Sequence, residues 1–240
     1  MLFDIVICVG PNDYNVIEKQ LEYTKKNIMN RRNIYLITPN KNLKIKDCIT
    51  IDENIFPFSK KTVAKFHGKH KRNGWYLQQL IKLYSTFVIP NITKTYLVLD
   101  ADTYFLKPVI FIKNNKCMYN SGYEYHEPYF DHMKKLHPSF TKIYENKSGI
   151  THHMMLQRSY IKEIIRLVES KHNDKFYNVF LKNIDVPRKS GASEYEIYFN
   201  YMLKNHSDKI IIRDLKWRNT DELLLSAECD YISYHWYKRK

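Results

Sequence analysis

The run Tyr96-Leu97-Val98-Leu99-Asp100-Ala101-Asp102 sets two carboxylates two residues apart, directly after four apolar residues. The apolar run predicts a buried strand, and residues i and i+2 of an extended chain lie on one side, about 7 Å apart. Two negative charges at such a strand end repel unless a cation or a ligand group lies between them. In open α/β sheets, ligands gather beyond the carboxyl ends of the strands. A divalent cation with a preference for oxygen, Mg²⁺ or Mn²⁺, suits Asp100 and Asp102. The competing structural reading is a turn in which each aspartate accepts hydrogen bonds from local backbone N–H groups.

Other residues could serve the same cleft. Gln78, Gln79 and Lys82 fall on a predicted helix that precedes the Asp100 strand, and Gln78 and Lys82, four apart, share a face. An amide and a cation there could reach a sugar or a diphosphate, or could simply form the solvent side of the helix. Ser193-Glu194-Tyr195-Glu196 reads as a capping box, with Ser193 at the N-cap and Glu196 at the third helical position. That accounts for Glu196 structurally. Glu194 either favours the helix dipole or accepts a proton from a substrate hydroxyl. Of His152 and His153, alternation along an extended chain sends one ring into the cleft, and His153 is the choice.

The elements that must position these groups are legible as apolar runs. Ile5–Val9, Ile34–Ile37, Ile49–Ile51 and Tyr96–Leu99 predict buried strands, and 154–156 a further one. Helices are predicted over about 13–29 with Asn12 or Asp13 as N-cap, from 73 or 74, over 159–171 and from 193. The pattern implies an α/β fold with a mixed, mostly parallel central sheet flanked by helices. With 240 residues and no internal repeat or linker, one domain over 1–240 is expected, its halves dividing at 112/113. Residues 57–73 carry Lys60, Lys61, Lys65, Lys69, Lys71 and Arg72 with Gly68 and Pro57, and read as a basic loop able to close over a diphosphate. The net charge of +14 favours anionic partners, including peripheral contact with an acidic membrane surface. Cys8, Cys48, Cys117 and Cys229 form no CxxC pair, which argues against a zinc ribbon. No basic leader or apolar stretch of membrane-spanning length is visible, so a cytoplasmic location is expected.

Taken together, Ile5–Asp13, Gly74–Lys82, Leu99–Thr103, His152–Met154, Ser193–Glu196 and His235-Trp236 resemble, in this order, the GT-A glycosyltransferases. The resemblance is closest to a branch of predicted enzymes with WYxQQ, LDADT, HHM, SEYE and HW motifs, and it threads almost the whole chain. It implies a GT-A (Rossmann-like) fold with a nucleotide-sugar-binding half, 1–112, and an acceptor-binding half, 113–240. It implies transfer of a sugar from a nucleotide-diphosphate donor, with UDP as the expected nucleotide, to a hydroxyl of a glycan or protein. It further implies donor binding at Pro11, Asn12 and Asp13, with Gln78, Gln79, Lys82, Asp100 and His153, and a metal at Asp100, Asp102 and His235. Glu194 and Asp102 become the catalytic candidates. An imidazole at His235 favours Mn²⁺ over Mg²⁺. A sugar-nucleotidyltransferase is the rival enzyme reading, although Gly10–Tyr14 lacks the arginine and glycines expected of one. A basic nucleic-acid-binding protein is the rival from another class, but the chain carries no recognised motif for specific nucleic-acid binding.

Overall fold

The computed structural model of the protein describes residues 1–188, 190–223 and 228–239. Lys189 of the 187–191 loop, Lys240 and the Trp236 side chain lie outside the described residues. In chain order the elements are β1 (Phe3–Cys8), α1 (Ile17–Asn27), β2 (Arg31–Thr38), β3 (Ile49–Asp52), α2 (Lys60–His67) and α3 (Asn73–Val88). They continue with β4 (Thr95–Asp100), β5 (Thr103–Phe105), β6 (Ile112–Lys113), β7 (Lys116–Asn120), α4 (Glu127–Leu136), β8 (His153–Gln157) and α5 (Arg158–His172). Last come α6 (Phe176–Lys182), α7 (Glu194–Asn205), β9 (Ile210–Arg213), β10 (Trp217–Asn219) and β11 (Tyr231–Ser233).

The apolar runs build a five-stranded sheet in the order β3-β2-β1-β4-β8. Its first four strands are parallel, and β8 pairs antiparallel with β4. β1 is buried at every position, as a central parallel strand covered on both faces must be. The chain steps outward from β1 through β2 to β3, then crosses back to lay β4 on the other side of β1. The crevice beyond the ends of β1 and β4 is therefore the topological switch point, where open α/β sheets bind ligands. In-register pairing of Cys8 with Asp100 brings the turn after β1 beside the two aspartates. Because β8 comes from the second half of the chain, both halves share this sheet and one continuous core.

A small sheet, β10-β11-β5, completes the crevice. β5 starts at Thr103, immediately after the aspartates, and Ser233 of β11 is its register partner. That pairing carries Tyr234 and His235 alongside Asp102, whose carbonyl accepts a hydrogen bond from the Tyr234 N–H at 2.8 Å. A third sheet, β6-β7-β9, lies apart from the crevice strands in the pairing.

Two expectations need correction. The first helix starts at Ile17 rather than near Asp13, with Val16 and not Asn12 or Asp13 at its N-cap. Pro11–Asp13 instead forms a 3₁₀ turn, closed by the Asp13 N–H on the Gly10 carbonyl. The basic stretch 57–73 is not a loop throughout, because residues 60–67 are α2. Ser59 and Thr62 cap that helix reciprocally, and Gly68 ends it at φ +64°, a conformation that disfavours a side chain. No described helix is long and apolar enough to cross a membrane.

Candidate functional site

Asp100 leaves the end of β4 and meets a buried ammonium. Lys82, on α3, donates to Asp100 Oδ1 at 2.6 Å and to Glu194 Oε1 at 2.7 Å. The Tyr195 hydroxyl donates to the same Asp100 oxygen at 2.9 Å, and the Lys82 Nζ lies 4.4 Å from the centre of the Tyr195 ring. α3 presents Lys82 because Leu77, Leu80 and Ile81 bury the flanking face. α7 presents Glu194 and Tyr195 because Ser193 caps it, accepting the Glu196 N–H at 3.2 Å. Gln79 fixes the entry to α7: its amide N–H donates to the Ala192 carbonyl and its oxygen accepts the Glu194 N–H, both at 3.1 Å. Gly149 lets the chain pass close to α7, since a Cβ there would lie 2.6 Å from the Phe199 Cβ.

Electrostatics in this cluster run in both directions. Burial works against the charge on Lys82, yet Asp100 and Glu194 overcome it and hold the ammonium well above the usual lysine range. Burial also works to raise Asp100, but Lys82 and His152 hold its carboxyl low. For Glu194 burial prevails over Lys82 and the carboxyl is raised. Asp13 is pushed up to about 6 by burial, aided by Asp102 and Asp100 and opposed by Arg239. Arg239 grips the turn after β1, donating to Asp13 Oδ1 at 2.8 Å and to the Asn12 carbonyl. Four carboxyl groups, Asp13, Asp100, Asp102 and Glu194, thus gather around two basic side chains, Lys82 and Arg239.

Asp102 sits differently. Its Oδ2 lies 3.0 Å from His235 Nδ1, and His235 Nε2 lies 3.0 Å from Asn219 Oδ1. Asn219 thereby fixes Nε2 as the N–H of a neutral ring and leaves the Nδ1 lone pair facing a carboxylate. Such a pair of acceptors needs a proton or a cation between them. Against burial, Asp102 holds the His235 imidazole above its ordinary value, which favours a proton in that seat. A divalent ion can fill it instead. Asp102 and His235 supply an oxygen and an imidazole nitrogen, a donor set that would suit such an ion. No described group of three or more His, Cys, Asp or Glu residues is already gathered for a metal. If an ion were held here, Asp102 and His235 would be the protein's contribution to its shell.

The histidine pair reverses the expected assignment. His153 is sunk among Phe105, Phe111 and Tyr231, ring centres 5.0–5.4 Å away, and burial pushes it down to about 3. His152 faces the crevice, because β8 begins only at His153 and His152 turns out with φ +62°. Its Nδ1 is 3.4 Å from Asp100 Oδ2, its ring packs 4.9 Å from that of His235, and its buried Nε2 has no protein partner. The capping box is also half made. Glu196 does not reach back to Ser193, because its carboxylate accepts from Ser148 and Asn200 instead.

The other expected residues divide by position. Gln78 lies beside the turn after β1, its amide 3.6 Å from where a Gly10 Cβ would be. Gln79 is a buried clamp rather than a surface group, and Lys82 is the centre of the cluster. Cys8 is no nucleophile, since burial pushes its thiol up to about 12. Tyr195, Asn219 and Arg239 were not singled out from the sequence, and His152 was passed over for His153. Of these only Tyr195 and His152 had a local signal, each adjoining a residue already singled out.

Comparison with curated proteins yields no match. Residues 17–240, which include both aspartates, His152, the start of α7 and His235, match the model of a family of unknown function, DUF6492, and the chain belongs to that family.

Proposed function

We propose that the protein is a metal-dependent glycosyltransferase that takes its sugar from a nucleoside-diphosphate donor. The observation that carries this reading is the Asp102–His235 pair at the switch-point crevice, where a carboxylate and an imidazole lone pair stand 3.0 Å apart. Asp102 and His235 would hold the ion, with Asn219 setting the ring tautomer. The ion, when bound, would supply positive charge to the diphosphate leaving group. Mn²⁺ suits the oxygen-and-imidazole donor set.

The chain's own groups do the rest. The turn at Pro11, Asn12 and Asp13, steadied by Arg239, would border the nucleoside. Lys82, kept charged by Asp100 and Glu194, would set a positive potential beside the diphosphate without a free N–H to bond it. Asp100 is then a holder of Lys82 and His152 more than a metal ligand. Glu194, raised by burial, would take the proton of the acceptor hydroxyl, and its bond to Lys82 adds an anchoring duty. Fixed position and preset charge would supply most of the catalysis.

The test is a panel of UDP- and GDP-sugars with Mn²⁺, scored for slow donor hydrolysis and for metal-dependent nucleotide binding by calorimetry. Hydrolysis that chelator stops supports the reading. Absence of both hydrolysis and nucleotide binding across the panel overturns it.

A further inference from the structure

Between Glu53 and Asp100 the sequence has no aspartate or glutamate. Lys60, Lys61, Lys65, Lys69 and Lys71 fall in this acid-free run, and all five are exposed. None of the five makes a described ion pair, and the nearest carboxylate to sense them is Glu53, through Lys60. What is local here is the absence of any carboxylate from residues 54–99, which leaves five exposed lysines with no acidic residue in their own stretch of chain.

α2 organises the face. Val63 is fully buried and seats the helix, so Lys61 and Lys65, one turn apart, point away from the protein together. α6, which packs against α2, adds the exposed Lys182. Two apolar side chains near these lysines in sequence are open to water: Phe66, next to Lys65, is 39% exposed, and Ile55, in the turn before α2, is 48% exposed. Cations would serve equally for nucleic acid, but a phosphate backbone has no apolar layer to receive Phe66 and Ile55. An anionic bilayer offers both, with headgroup charge above and acyl carbon below.

We propose that the face built by α2 and its flanking turns docks the protein on an anionic phospholipid membrane, with Lys61 and Lys65 at the headgroups and Phe66 and Ile55 entering the interface. α2 passes through Gly68 into α3, so the docked face is joined directly to the helix that carries Lys82.

The test is co-sedimentation of the full chain with vesicles of phosphatidylcholine alone or with about 30% phosphatidylserine, at low salt and at about 0.5 M. Wild type should partition to the anionic vesicles only, and salt should release it. Each lysine near such a surface contributes about fivefold, so Lys61→Glu with Lys65→Glu should weaken partition at least about 20-fold. Phe66→Ser should weaken it several-fold while leaving its salt slope unchanged. Melting curves of both variants should match wild type, since all three side chains are on the surface. Failure to bind anionic vesicles, or binding indifferent to the double reversal, overturns the proposal. Tight binding to single-stranded RNA that Phe66→Ser leaves untouched, with no vesicle binding, would also overturn it in favour of nucleic acid.

Discussion

Asp100 and Asp102 leave the same strand end, yet their surroundings differ. Asp100 has both oxygens engaged, one by Lys82 and Tyr195 and the other facing His152. Asp102 has His235 as its described side-chain partner, and that contact needs a cation or a proton to be favourable. The first carboxylate is part of a finished buried network, while the second is half of an open seat. The two aspartates of one DxD motif thus do different work: Asp100 holds a cation of the protein, Lys82, whereas Asp102 faces an imidazole and, in the function proposed above, would receive a cation from solution.

The sharpest way to break that distinction is to neutralise each aspartate in turn. Asp102→Asn should lower donor turnover by about 10³ or more and abolish metal-dependent nucleotide binding, with melting near wild type. Asp100→Asn should instead cost about 3–5 kcal/mol of stability, because it strands part of the Lys82 charge in the interior. Urea unfolding and donor hydrolysis on both variants check this, and equal behaviour would erase the contrast. Glu194→Gln probes the closed network from its other side. Acceptor transfer should fall by about 10²–10⁴ with donor affinity near normal. A variant that transfers normally but melts lower would reduce Glu194 to an anchor for Lys82.

Asn219→Ala tests the open seat without touching a ligand. Loss of the partner that fixes the His235 tautomer should weaken Mn²⁺ binding by about 10–100-fold, read by calorimetry. Unchanged affinity would remove His235 from the ion's shell. The smallest effect concerns acid stability away from the seat. Burial pushes His132 down to about 4 and His153 to about 3, both below the 6.5 of an exposed ring. Below pH 6.5 the unfolded chain therefore binds protons that the folded chain refuses. Stability should be full above that pH and decline toward pH 4, by up to about 1.4 kcal/mol per unit for each histidine. A urea midpoint unchanged between pH 7 and pH 5 would contradict it.

What the sequence revealed followed the range of the forces involved. Continuous apolar runs located β1, β2 and β4, and with them the sheet and the strand end that bears the aspartates. Short-range chemistry was read with mixed success. Ser193 caps α7 as expected, but Ser59 and Thr62 cap α2 without the glutamate or glutamine that usually marks such a box, and the lysines around them read as loop. Alternation treats His152 and His153 as if both were extended, but His152 has φ +62° and lies outside β8. Which of the two rings turns inward depends on where the strand begins. The Asn219–His235 and Arg239–Asp13 contacts depend on strand pairing and have no signature in the residues near either partner.

The pairing of β11 with β5 also bears on how the site comes into being. His235 reaches Asp102 across 133 residues of chain, and Arg239 reaches Asp13 across 226. Contacts so distant in sequence carry a high loop-closure cost and tend to form late, after the central sheet has condensed. During refolding the strand-end aspartates would stand exposed before their histidine arrives, as a bare acidic pair open to any hard cation in solution. Any selectivity for the proposed ion would then be acquired at the final step of assembly.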